Sequence, residues 1–194
     1  MTDFLTDKLT SLLRTGELDE YDVEILRYGI NTVLLNLPKT ILLVFICKKL
    51  GLFKPLMLLF AFYGSIRTYS RGIHAKTPLG CFITGTLNFL TMAYLSKVIA
   101  IPQKIYNVIF AYCFCVFLKY SPSGTEINPV YSDQIKPLKI KSVSIVVLYY
   151  FIGLKKGLMR NIVALSLLSQ SIFIIPLTYK IAHQKGGFIH EDDE

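Results

Sequence analysis

Residues 79–100 read Leu-Gly-Cys-Phe-Ile-Thr-Gly-Thr-Leu-Asn-Phe-Leu-Thr-Met-Ala-Tyr-Leu-Ser-Lys-Val-Ile-Ala, from Leu79 to Ala100. The stretch holds no acid and a single cation near its end, and it is long enough to cross the roughly 20-residue span of bilayer hydrocarbon as a helix. Its surroundings repeat the pattern. Apolar runs occupy about Tyr28–Leu50, Pro55–Ile66, Ile105–Leu118, Val143–Leu154 and Leu158–Ile181, with breaks at Gly51, Gly80, Pro102, Pro122-Ser123-Gly124 and Gly153/Gly157. Pro55–Ile66 is too short to span, so it either extends past Arg67 or forms a re-entrant, cavity-lining segment. Before the first run, Phe4, Leu5, Leu9, Leu12 and Leu13 recur at helical spacing, which predicts an amphipathic helix on the membrane interface.

Composition agrees. Of 194 residues 53% are hydrophobic and only 18% charged, and the net charge is +8. A soluble domain carries more charge than this, and a disordered chain or a disulfide scaffold is excluded. The acids are segregated: seven of 13 lie in residues 1–24 and four are the last four residues. Between them stand nineteen Lys/Arg against Glu126 and Asp133 alone. Cations clustered between apolar runs suit anionic headgroups or an acidic partner. The expected fold is therefore an all-α polytopic membrane protein. It has about six membrane helices, some short or re-entrant, and an N-terminal amphipathic interfacial helix. It forms one membrane-embedded domain over 1–194: an amphipathic N-terminal region (1–27), a transmembrane core (28–181) and an acidic-ended tail (182–194). The distribution of loop cations modestly favours a cytoplasmic N-terminus. That orientation places the Arg67–Lys76 loop and the largest polar segment, Tyr120–Lys141, inside the cell.

The four cysteines are Cys47, Cys81, Cys113 and Cys115. Cys47, Cys113 and Cys115 sit in apolar runs and read as small buried hydrophobes. No Cys-x-x-Cys or His-x-x-x-His spacing is present, so neither a metal nor any other cofactor is expected. His183 and His190 lie in a polar tail. Cys81 and His74 differ, because both belong to the loop and helix start running from Arg67 to Cys81. Thr77-Pro78 reads as an N-cap followed by proline at the first helical position, which puts Cys81 in the first turn or so of a helix. The helix terminus and nearby Arg67, Arg71 and Lys76 favour a thiolate there. His74 precedes the helix and can fold back toward Cys81 to form a nucleophile–base couple. Backbone N–H groups of Leu79, Gly80 and Cys81 are candidate oxyanion donors, and Gly80 leaves room for a carbonyl. A bland reading stands beside this one: a lone Cys and His seven residues apart, in a basic loop that only sets topology. Glu126, Asp133 and Asn88 are weak candidates for a third catalytic group.

The pattern Arg67-x4-Gly72-x-His74-Ala75-Lys76-x4-Cys81 in a chain of this size resembles the accessory gene regulator B family, bacterial membrane endopeptidases of quorum sensing. The segment Tyr120-Ser121-Pro122 to Asn128-Pro129-Val130 and Lys139 is also similar to the family's. Arg71-Gly72-Ile73 departs from the family's frequent Gly-Gly-aromatic, and Gly80 from its frequent basic residue. The resemblance implies that Cys81 is the nucleophile and His74 the proton shuttle, with Arg67 and Gly72 as motif residues. It implies cleavage of an AgrD-like propeptide with an acidic C-terminal segment, through a thioester on Cys81. An internal thiol or hydroxyl then takes the acyl group, giving a cyclic (thio)lactone autoinducing peptide. Arg67, Arg71, Gly72 and Lys76, then Lys136, Lys139 and Lys141, are the expected substrate-binding residues. The expected setting is the bacterial cell membrane, multi-pass, with the active site on the cytoplasmic side. Membrane lipids and a second copy in a homodimer are expected partners, and nucleic acid is not. The competing readings are a non-enzymatic exporter or chaperone of a small peptide, and a scaffold with a structural cysteine. Against export, no nucleotide-binding motif is present and the chain is short for an alternating-access carrier.

Overall fold

The computed structural model describes residues 2–13, 19–75, 77–125, 129–184 and 186–187. These residues are helical almost throughout, with two strands of two residues each. The chain divides into two units, Met1–Leu50 and Gly51–Glu194.

In the first unit, α1 (Thr2–Leu13) packs on α2 (Glu20–Lys49). The expected amphipathic helix forms: Thr6 and Thr10 are buried, while Phe4, Leu5, Leu9, Leu12 and Leu13 face outward. An outward apolar stripe is what an interfacial helix presents to lipid. Arg27 pairs with Asp7 at 2.8 Å across the two helices. Asp19 caps α2 by accepting from the Asp22 N–H at 2.7 Å. Val33, Leu37, Ile41 and Phe45 repeat every fourth residue of α2 and are all exposed, a second stripe suited to lipid.

The second unit contains α3 (Phe53–Ser70), α4 (Pro78–Val98), α5 (Gln103–Tyr120), α6 (Ser132–Gly153), α7 (Leu158–Ile174) and the short α8 (Pro176–Ile181). Helix α7 packs against α3, α4, α5 and α6. It is therefore buried on nearly all sides, through Ile162, Val163, Ala164, Leu167 and Ile174. The core continues through Ile66, Tyr106, Cys113, Phe117, Val146 and Tyr149. Tyr106 donates to the Tyr149 carbonyl at 2.9 Å. It lies so close to Gly153 that an added Cβ would sit 2.1 Å from the tyrosine oxygen. Strands β1 (Gly124–Thr125) and β2 (Gly186–Gly187) pair antiparallel. The Ser121-Pro122 peptide before β1 is cis.

Several expectations change. Among the described residues two helical segments, Asp22–Lys49 and Leu79–Val98, are long and apolar enough to cross a membrane, not about six. The reason lies in polar residues at helix ends. Helix α3 carries Lys54 and Arg67, α5 carries Lys104, Asn107 and Lys119, and α6 begins in a lysine-rich stretch, while α7 is a shorter apolar helix. The segment around Pro55–Ile66 resolves as α3, which extends past Arg67. The polar segment Tyr120–Lys141 is not all loop: α6 starts at Ser132, so Lys136, Lys139 and Lys141 lie on a helix. The run Leu158–Ile181 breaks at Ile175, where Pro176 begins α8, because proline lacks the N–H a continuing helix needs. Gly80 is not a break but lies in the first turn of α4.

Candidate functional site

The start of α4 forms as its residues dictate. Thr77 is the N-cap, its side chain accepts from the Gly80 N–H at 3.0 Å, and Pro78 opens the helix. A Cβ on Gly80 would meet Thr77 Oγ1 at 2.9 Å, so glycine keeps the cap tight. The Cys81 N–H donates to the Thr77 carbonyl at 2.9 Å. The N–H groups of Gly80 and Cys81 are thus both engaged.

The loop before this helix is pinned from several sides. Helix α3 ends at Arg71, which has φ 56°, and Gly72 follows at φ 115°. Glycine alone adopts that second conformation without strain. Gly72 N–H donates to the Ser123 carbonyl at 2.7 Å, and Ser123 N–H donates to the Ser70 carbonyl at 3.1 Å. Ile73 N–H donates to the Phe173 carbonyl at 3.0 Å. The Gln184 side-chain amide donates to the His74 carbonyl at 2.6 Å. The His74 backbone is therefore set by α7, the β1 segment and the chain after α8.

Two side chains complete the scaffold. Arg67 donates to the Ile73 carbonyl and to Gln170 Oε1, the latter at 3.4 Å, and lies over the Phe173 ring at 5.3 Å. Gln170, fully buried on α7, donates through Nε2 to Ser70 Oγ at 2.7 Å and to the Arg71 carbonyl at 2.6 Å. One amide thus ties Arg67 to the backbone turn that leads into His74.

His74, Cys81 and Arg67 line one cavity of about 430 Å³, walled by Tyr63, Phe89 and Phe173 among others. Asn88 lines it too, two helical turns beyond Cys81, and accepts from Ser169 Oγ at 2.9 Å. A second cavity of about 300 Å³ is lined by Arg67, Thr68, Arg71 and His74. His74 and Arg67 are therefore common to an aromatic-walled cavity holding the thiol and to a cationic one. Burial, and then the charges of Arg67 and Arg71, push the His74 pKa below its usual 6.5. The imidazole is neutral at neutral pH and able to accept a proton.

Not every expected residue joins them. Gly72 is buried in packing rather than lining either cavity: a Cβ would sit 2.8 Å from the Phe173 carbonyl oxygen. Leu79 is exposed, and neither Leu79 nor Gly80 lines these cavities. Lys136, Lys139 and Lys141 stand on α6 outside both, with Lys141 Nζ 5.7 Å from the Tyr69 ring. Lys76, Glu126 and His190 lie outside the described residues. Asp133 is exposed on the first turn of α6. Cys47 and Cys113 are buried, but Cys115, expected inside, is exposed. Among the described residues no cluster of metal-ligating side chains occurs. Gln170, Ser123, Phe173 and Gln184 were not foreseen. Only Gln170 left a trace in the sequence, as a polar residue inside an apolar run, where it needs a partner.

A family model described as Accessory gene regulator B matches residues 3–174. An AgrB-like protein of Clostridium acetobutylicum is 28% identical over 159 residues, covering 80% of this chain and 76% of the relative. The accessory gene regulator protein B of Staphylococcus intermedius is 26% identical over 152 residues, 78% of this chain and 81% of its own. An AgrB-like protein of Listeria monocytogenes is 24% identical over 188 residues, covering 95% and 92%. No solved structure matches. With a family model spanning most of its length and two helices apolar enough to enter a bilayer, this is a membrane-associated protein, and it belongs to the accessory gene regulator B family.

Proposed function

We propose that the protein is a membrane cysteine endopeptidase that cuts an AgrD-like propeptide and closes its product into a ring. The observation that carries this reading is that Cys81 and His74, on separate elements, line one cavity. Neutral His74 takes the proton of the Cys81 thiol, and the thiolate adds to the scissile carbonyl. The C–N bond breaks, and the leaving amine takes that proton from His74. The acyl group remains on Cys81 as a thioester. An internal thiol or hydroxyl of the peptide, giving its proton to His74, then attacks the thioester carbonyl. The carbon–sulfur bond breaks, Cys81 sulfur recovers the proton, and a cyclic thiolactone or lactone leaves.

The paired cavities suit such a substrate. The aromatic-walled one takes the acyl-side residues and limits water, which would hydrolyse the thioester. The cationic one, beside Arg67 and Arg71, takes the acidic C-terminal leaving segment. Arg67 also shapes the loop through Ile73, and Gly72 acts through packing. Lys76, Lys136, Lys139 and Lys141 form an outer docking zone for the acidic segment. Leu79, at the second helical position, is the remaining oxyanion donor of the three first considered. The protein lies in the bacterial cell membrane as a multi-pass protein, with Asp22–Lys49 and Leu79–Val98 as full spans and α3, α5, α6 and α7 as partial membrane segments. The site faces the cytoplasm, and a homodimer is compatible with this arrangement.

The test is covalent trapping. Membranes co-expressing the protein and its propeptide should yield a Cys81 adduct carrying the N-terminal part of the peptide, cleavable by hydroxylamine. A pure exporter gives no adduct, and its absence under conditions where peptide is released overturns the proposal.

Two further outcomes follow from the geometry. Because the His74 pKa is lowered, cleavage should persist below pH 6.5, where an ordinary histidine protonates. Arg71→Gln removes one depressing charge, so the acidic limb of the pH–rate profile should move to higher pH. Gln170→Leu removes the amide that joins Arg67 to the Arg71 carbonyl. It should slow cleavage by ~100-fold through displacement of His74 and lower stability by about 1–3 kcal/mol through unpaired buried groups. Kinetics and thermal unfolding of the same preparation separate the two effects.

A further inference from the structure

At the other end of α4, about 24 Å along the helix from Cys81 by the 1.5 Å rise per residue, lies a cavity of about 570 Å³ that the proposed chemistry does not use. Lys97, Lys156 and Arg160 line it, together with apolar Ile99, Ile101 and Leu158. Arg160 is 5% exposed. Its guanidinium donates to the carbonyls of Gly153, Ile101 and Leu154 at 3.0, 3.3 and 3.0 Å, and to Gln103 Oε1 at 2.5 Å. Every one of these acceptors is neutral. They take four of the five N–H groups, and the Tyr106 ring lies 5.8 Å from the guanidinium carbon, but no carboxylate among these partners neutralises the charge, a costly state away from water. Lys97 donates to the Gly51 carbonyl at 3.2 Å, and an ammonium has two more protons to offer. Among the described residues no acid lines this cavity. Asp133 stands at the opposite end of α6 from Gly153, about 30 Å away along the helix.

We infer that this cavity binds the headgroup phosphate of an anionic phospholipid, with the acyl chains running down its apolar wall. Three observations select that occupant. The charge of the described residues lining the cavity is of one sign. The wall beside it is apolar rather than polar, which suits an amphiphile and not a free ion. The cavity also sits at the end of Leu79–Val98, a segment long and apolar enough to cross a bilayer, hence at the depth of headgroups. The bound phosphate would bridge Lys97 at the end of α4 to Lys156 before α7. It would reinforce the clamp that Asn161 already makes to the Ser96 and Ile99 carbonyls at 2.9 and 2.6 Å. Because α4 carries Cys81 at its far end, the lipid would steady the helix that holds the nucleophile. The inference does not depend on what Cys81 does.

The full chain is reconstituted in phosphatidylcholine vesicles with and without phosphatidylglycerol, and retained lipid and thermal unfolding are measured. Phosphatidylglycerol should be retained after delipidation and should raise the unfolding temperature. The Lys97→Gln/Lys156→Gln double variant should weaken retention by roughly 30-fold, at about 1 kcal/mol for each lysine. The Lys54→Gln/Lys104→Gln variant, equal in charge change but outside the cavity, should retain lipid as the parent does. Equal retention by the first variant and the parent, or equal loss in both double variants, overturns the proposal. So does stabilisation by inorganic phosphate alone that matches phosphatidylglycerol.

Discussion

Replacing Cys81 by alanine should abolish propeptide cleavage, a loss of at least ~10⁴-fold, because Cys81 supplies the one thiol among the residues lining the cavity and the Thr84 and Thr178 hydroxyls there are far weaker nucleophiles. His74→Ala should cost ~10²–10⁴-fold, the usual worth of a positioned general base. The comparison cysteines make the result specific. Cys113 is buried in the core, where Ser171 donates to its sulfur at 3.2 Å, and Cys47 is buried in the first unit. Cys47→Ala and Cys113→Ala should lower stability modestly but leave cleavage intact. Immunoblotting of tagged propeptide in cells expressing each variant at matched levels reads all four outcomes. Retained cleavage in Cys81→Ala would end the enzymatic reading.

The second large effect belongs to a residue with no functional group. Gly72→Ala should reduce cleavage by ~100-fold, since a misplacement near 1 Å costs that much at a reacting centre. At φ 115° an L side chain is strained, by about 1–3 kcal/mol. The new methyl would also lie 2.8 Å from the Phe173 carbonyl oxygen and 3.0 Å from Arg67 Nη1. The carbonyl belongs to the buried helix α7 and cannot yield, so the loop must move, and His74 is two residues on. Gly29→Ala is the matched comparison: nothing lies within 4 Å of its Cβ. It should leave cleavage unchanged and stabilise the exposed helix slightly. Initial rates and unfolding temperatures of both variants, measured side by side, check the pair.

Much of this arrangement was legible beforehand. The cap at Thr77-Pro78, the helix carrying Cys81 and the outward stripe of α1 follow from local rules, and all three are present. The number of spanning helices was not legible. Apolar runs are bounded by charge in sequence, but α3 and α6 extend through Arg67 and through Lys136–Lys141, where tertiary packing overrides local polarity. The engagement of the Gly80 N–H by Thr77 was implicit in the cap, yet the same N–H had been assigned to an oxyanion. A donor so engaged is not available to both.

Within Arg67–Cys81 the order of residues alone supplied the thiol, the imidazole and the helix start, because capping and charge act between near neighbours. Whether thiol and imidazole face one cavity was decided by segments remote in sequence: Gln170 and Phe173 on α7, Ser123 beside β1, and Gln184 after α8. Their backbone and amide bonds orient His74. A hydrogen bond spanning a hundred residues leaves no local periodicity by which the chain could announce it.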